Sequence, residues 1–138
     1  MNNLVERFLR YVSVDTQSNE DSQTQPSTMK QLNLLSMLRD ELLAMGVEAT
    51  LDEYGYVMAR IPSNVDAHVP AVGFISHVDT SPDASGADIK PQIIHDYDGS
   101  AIALKGMEGL YLDPKDFPEL LRHKGEDLIT TDGTTSSI

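Results

Sequence analysis

Five apolar residues in succession, Ala71-Val-Gly-Phe-Ile75, stand between Pro70 and a polar segment that soon reaches His77. A run this short and bounded this way suits a strand buried on both faces. Such a strand needs other elements around it, and the flanking patterns supply them in mixed kinds. Leu4, Val5, Phe8, Leu9 and Val12 recur at helical spacing, predicting a short amphipathic helix over the first dozen residues. Residues 15–28 are polar apart from Pro26, and are expected to form a surface loop. Thr28 and Gln31 have the spacing of a capping box. The helix they would open runs to about Met45, with Leu34, Leu35, Leu38, Leu42 and Met45 on one stripe and Gly46 where a terminating glycine belongs.

Past Gly46 the period changes. Residues 47–51 and 56–61 read as strands joined by a turn at 53–55. Residues 62–70 and 80–90 read as loops. Ile93, Ile94 and residues 102–104 suggest short strands. Asp113 with Pro114 is a good helix start leading into Phe117, Leu120 and Leu121, with Gly125 as the stop. Residues 128–131 predict a further strand and Asp132-Gly133 a tight turn. The order helix, helix, strands, helix, strand predicts a mixed α/β domain. The 138 residues have room for one such domain.

Hydrophobic residues make up 40% and charged residues 23%, the composition of a folded protein. Lys and Arg total 10 against 22 Asp and Glu, a formal net charge of -12. That surface repels phosphate backbones and excludes nucleic acid as a natural partner. It favours cations, whether a divalent metal or the free amino group of a peptide; on composition alone, however, the preferred reading is that acidic charge serves solubility. With no cysteine there is neither disulfide nor thiolate ligand, so a metal would be held by His and carboxylate. Glu6, Arg7 and Arg10 interrupt the N-terminal apolar residues, unlike a signal peptide, and the longest apolar run is too short for a bilayer. A soluble, cytoplasmic protein without a membrane partner is expected.

The segment Gly73-Phe-Ile-Ser-His-Val-Asp-Thr-Ser-Pro-Asp83 holds the chemistry. In extended backbone, side chains at i and i+2 share a side, so His77 and Asp79 can converge at the carboxyl end of a buried strand, where α/β sheets place ligand crevices. A metal-ligating imidazole usually has its second nitrogen fixed by an acceptor, and Asp79 is placed for that role. A His-x-Asp triplet also arises often by chance, and by itself the reading as a surface His beside a loop-capping Asp is preferred. His68 and His123 are expected to face solvent. His95, Asp96 and Asp98 could form a second metal patch. The Asp residues of 79–88 lack calcium-loop spacing and read as turn residues.

Beyond this triplet, Arg7-Phe-Leu9, Val14-Asp-Thr-Gln-Ser18, Pro26-Ser-Thr28, Pro91-Gln-Ile93 and Ile129-Thr-Thr-Asp-Gly-Thr-Thr135 follow in order. With them the sequence from Leu4 to about Thr135 resembles the N-terminal third of peptidase T, a family of two-zinc exopeptidases that release the N-terminal residue of tripeptides. The resemblance implies that His77 is a ligand of one zinc and that Asp79 is a catalytic-site residue steadying that imidazole. It implies a fold that is the N-terminal part of a mixed α/β zinc-exopeptidase catalytic domain, spanning residues 1–138, and a tripeptide as substrate. The oligomeric state is left open.

In the family, the Thr-Thr matching Thr134-Thr135 is followed by an apolar pair and Gly-Ala-Asp-Asp-Lys, whose first Asp bridges both zinc ions. This sequence has Ser136-Ser137-Ile138 there. The bridging Asp, the general-base Glu, the further ligands and the inserted dimerisation domain have no counterpart in it. Two readings follow: a metallo-aminopeptidase whose remaining residues lie outside this chain, or a non-catalytic remnant that binds metal weakly or not at all. Either way, the chain alone is expected to be inactive.

Overall fold

The structure, a computed structural model, describes residues 3–134. Thr135 and Ser136-Ser137-Ile138, where the sequence departs from the family pattern, lie outside the described residues. In chain order the elements are helices α1 (Asn3–Val12) and α2 (Gln31–Ala44), strands β1 (Glu48–Leu51), β2 (Val57–Arg60), β3 (Gln92–Ile94), β4 (Ile102–Ala103) and β5 (Tyr111–Leu112), a 3-10 helix (Pro118–His123) and strand β6 (Leu128–Thr130). The mixed α/β character is as expected. The described residues form two compact units, one of Thr16–Thr80 and one of residues 3–15 with 81–134.

In the unit Thr16–Thr80, α2 packs on the antiparallel hairpin β1–β2. Leu34 and Leu35, from the predicted stripe, are buried with Ala49 of β1. Gly46 ends the helix as predicted: at φ +78 its N–H donates to Leu43 O (2.9 Å), and Val47 N–H donates to Leu42 O (3.0 Å). Those two bonds form a Schellman motif and satisfy carbonyls the helix would leave open. At the other end the capping box does not form. The helix opens after Lys30 with no side-chain cap, and Thr28 Oγ1 donates instead to Gln17 O at 2.8 Å.

The hairpin turn also follows the sequence. Asp52 accepts the N–H groups of Tyr54 (3.0 Å) and Tyr56 (2.8 Å) through Oδ1, and Gly55 takes φ +85. A Cβ at Gly55 would lie 3.3 Å from Leu35 Cδ1. Gly55→Ala should therefore lose about 1–2 kcal/mol from left-handed backbone strain alone, seen as a lower midpoint in urea denaturation. An unchanged midpoint would contradict the turn geometry.

The predicted buried strand at 71–75 is corrected. Residues 71–79 form no regular ladder, and Val72, Phe74 and Ile75 are 80%, 96% and 100% exposed. An apolar strand persists only where neighbours pair its backbone and cover its faces, and no described strand of this unit does so. The loop expected at 15–28 is corrected in part, since Thr16 and Pro26 are buried.

In the second unit, β3 pairs antiparallel with β6 (Gln92↔Thr130, Ile94↔Leu128) and β4 with β5 (Ile102↔Leu112). Ile89, Tyr97, Ile102 and Leu104 form its buried apolar centre, and Tyr97 places its hydroxyl 2.8 Å from Ser100 O as donor. The Gln92 side chain joins the two sheets: Nε2 donates to Ala103 O (3.2 Å), Thr130 Oγ1 (3.2 Å) and Thr131 O (3.1 Å), and Oε1 accepts Lys105 N–H (3.1 Å). The helix predicted from Asp113 is replaced by a turn and the 3-10 helix. Pro118 forces the residue before it out of helical geometry, and Phe117 has φ -126 and ψ 73. Gly125 (φ +81) follows that helix, and Gly133 (φ +92) makes the turn after Asp132 as expected. Among the described residues no helix is long and apolar enough to cross a membrane.

Candidate functional site

His77 and Asp79 lie at the end of the unit Thr16–Thr80, just beyond the exposed apolar run. His77 Nδ1 is 3.0 Å from Asp79 Oδ1. An ionised carboxylate only accepts, so in this bond Nδ1 carries the proton and Nε2 of a neutral ring keeps its lone pair. The His77 side chain is 84% exposed and that of Asp79 47% exposed. The expected convergence of the two side chains is present; the central strand that was to carry them is not.

What holds the pair is a segment read from the sequence as plain loop. Gln17 and Thr80 form an isolated parallel bridge. Thr80 N–H donates to Thr16 O (3.3 Å), and Ser18 N–H donates to Thr80 O (3.0 Å). Ser18 Oγ donates to the same carbonyl at 2.9 Å. The Thr28 hydroxyl, on Gln17 O, ties down the other side of the bridge. Thus three stretches that carry the family resemblance, Val14-Asp-Thr-Gln-Ser18, Pro26-Ser-Thr28 and the His77 segment, meet at one place. Ser18, Thr28 and Thr80 were missed as contributors because hydroxyls in a polar stretch signal turns of every kind.

Two other histidines also pair with carboxylates through Nδ1: His95 with Asp127 Oδ2 (2.8 Å) and His123 with Glu126 Oε2 (2.8 Å). The His95 bond is the main cause holding the Asp127 carboxyl below its usual range. Asp98 is likewise lowered, chiefly by Ser100, whose N–H donates to it. His95, Asp96 and Asp98 therefore do not gather as a patch. Asp83 bonds Ser81 Oγ at 2.7 Å, in keeping with turn chemistry. Among the described residues no group of three or more His, Asp or Glu side chains is placed to hold a metal ion. By chemistry an imidazole nitrogen backed by a carboxylate suits zinc. A catalytic zinc takes three protein ligands.

Comparison with known proteins points to one class, peptidases. No protein-family model matches the chain. Curated relatives do, and the protein is peptidase T in each: that of Geobacillus thermodenitrificans is 55% identical over 133 residues, that of Aliivibrio fischeri 57% over 136, and that of Desulfitobacterium hafniense 53% over 135. The alignments cover 96–98% of this chain and 32–33% of those proteins. The chain spans about a third of the length of the relatives it matches, and over that third its sequence is similar to theirs.

Proposed function

We propose that this chain contributes His77 and Asp79 to a zinc-dependent peptidase of the cytoplasm that releases the N-terminal residue of tripeptides. The observation that carries this reading is the 3.0 Å contact between His77 Nδ1 and Asp79 Oδ1, in a sequence that matches peptidase T along nearly its whole length. Asp79 keeps the ring proton on Nδ1 and fixes the ring plane, so that Nε2 is the nitrogen turned to a metal. When bound in such a site, zinc supplies Lewis-acid polarisation of a carbonyl and acidifies water. The remaining ligands and the general base are assigned to the two thirds of peptidase T that this chain does not span. The acidic balance of the chain favours both the metal and a free peptide amino group.

The second reading, a non-catalytic remnant, draws on the absence, among the described residues, of any group of three or more His, Asp or Glu side chains placed to hold a metal ion. The two separate in one experiment. The purified chain with zinc should leave a tripeptide with a free N-terminus intact, since absence of a general base typically removes a factor of about 100 to 10,000. Adding the separately produced remaining two thirds of the Geobacillus thermodenitrificans protein should give turnover that His77→Ala in this chain abolishes. Turnover by the chain alone would disprove the division of ligands. A silent mixture would favour the remnant.

A further inference from the structure

We infer that Ser18 is a positioning residue for the His77–Asp79 pair, acting through the backbone carbonyl of Thr80; this deepens the proposed function and rests on it. Residues 71–76, on the N-terminal side of His77, are exposed and without regular structure, so they do little to fix the imidazole. The hold comes from the C-terminal side, one residue past Asp79. There Thr80 O accepts two bonds from one residue, Ser18 N–H at 3.0 Å and Ser18 Oγ at 2.9 Å. Thr80 N–H is bonded in turn to Thr16 O, so both polar groups of that peptide unit's residue are fixed against the segment 16–18. The hydroxyl of Thr80 is itself buried, with no hydrogen-bond partner among the described residues.

The geometric consequence falls on Asp79. Its carboxylate reaches His77 Nδ1 from a backbone whose next residue is clamped, while the preceding backbone is not. Removing the Ser18 hydroxyl leaves one bond at Thr80 O and lets the Asp79 carboxylate wander from Nδ1. The imidazole then loses its preference for the Nδ1–H form, the form that leaves Nε2 open to a metal. A hydroxyl that merely stabilised the loop would lower the melting temperature without changing the tautomer of a ring three residues from the bond.

The test uses the full chain with 15N-labelled histidine at about pH 8, above the ordinary imidazole range. Long-range 1H–15N spectra report which ring nitrogen of His77 carries the proton. In the unaltered chain Nδ1 should be the protonated one. Asp79→Asn should shift the balance most, Ser18→Ala part of the way, and Ser18→Thr should restore it. The zinc Kd of Ser18→Ala should rise by part of the about 10- to 100-fold that loss of a ligand's oriented partner brings. Ser18→Cys, nearly equal in size with a weaker donor, should move the same way and stands in if Ser18→Ala does not fold. If Asp79→Asn shifts the His77 nitrogens and neither Ser18 variant does, the positioning role is wrong while the peptidase reading stands. If the Ser18 variants shift them but the complemented mixture does not cleave tripeptide, the positioning role stands and the peptidase reading fails.

Discussion

Zinc should bind the purified chain weakly, and the measurable affinity should vanish in His77→Ala. His77 is the nitrogen ligand to which the resemblance assigns metal, and Asp79 lies 3.0 Å from its Nδ1. One ligand in place of three leaves most of the coordination shell to water. Asp79→Ala should retain the ligand but weaken binding by about 10- to 100-fold, because the ring is no longer held in one tautomer and orientation. His95 and His123 provide the necessary controls, since each makes a carboxylate bond of 2.8 Å, shorter than that of His77. Calorimetry on the chain and on His77→Ala, His95→Ala and His123→Ala should show loss in the first variant only. Loss confined to His95→Ala would move the site to the other unit. Tight binding of two zinc ions by the unaltered chain would mean that further ligands exist within these residues.

Leu35→Ala should destabilise the unit Thr16–Thr80 by about 2–5 kcal/mol, the range for deleting a buried leucine side chain. Leu35 is 7% exposed on the face of α2 that meets the hairpin, and its Cδ1 lies 3.3 Å from where a Cβ on Gly55 of the turn would stand. A loss of that size is a large part of the about 5–15 kcal/mol that stabilises ordinary domains. Because α2 and β1–β2 have little else to bury, the hairpin should open with the helix. Urea denaturation followed by circular dichroism, with amide exchange at β1, would show both. Met58→Ala, at a side chain 66% exposed on β2, should stay within about 0.5 kcal/mol of the unaltered chain. A Leu35→Ala effect no larger than that of Met58→Ala would refute the placement of the core.

Both variants lie in elements that local pattern describes well. Helix α2 and its stop at Gly46, the hairpin with its turn at Gly55, and the short strands β3, β4 and β6 were all legible, because each is set by side-chain periodicity or by a glycine at positive φ. The misreadings share another cause. Residues 71–75 have the composition of a buried strand, but burial depends on partners that may be distant in sequence, and composition carries no information about whether they pair. Thr28 looked like a cap because its spacing to Gln31 is right; its hydroxyl went to Gln17 O, a competition that sequence does not rank. The start at Asp113-Pro114 carried the helix reading, which took no account of Pro118 four residues further on. At the site, the i, i+2 convergence of His77 and Asp79 follows from extended backbone alone. The clamp at Thr80 joins residues 62 positions apart, beyond any local pattern.

Gln92 shows how far one amide can serve a small unit. Three of its bonds are donated and one accepted, and three of its four partners are backbone groups. Deamidation would replace the amide nitrogen by a carboxylate oxygen and remove every donor, so that an oxygen faces Ala103 O, Thr130 Oγ1 and Thr131 O. Only the threonine hydroxyl could reverse its bond, leaving two carbonyls opposed to a negative charge. The junction between β3, β4 and β6 is therefore sensitive to chemical ageing at a single position, in a way that neither the size nor the hydrophobicity of the residue would reveal.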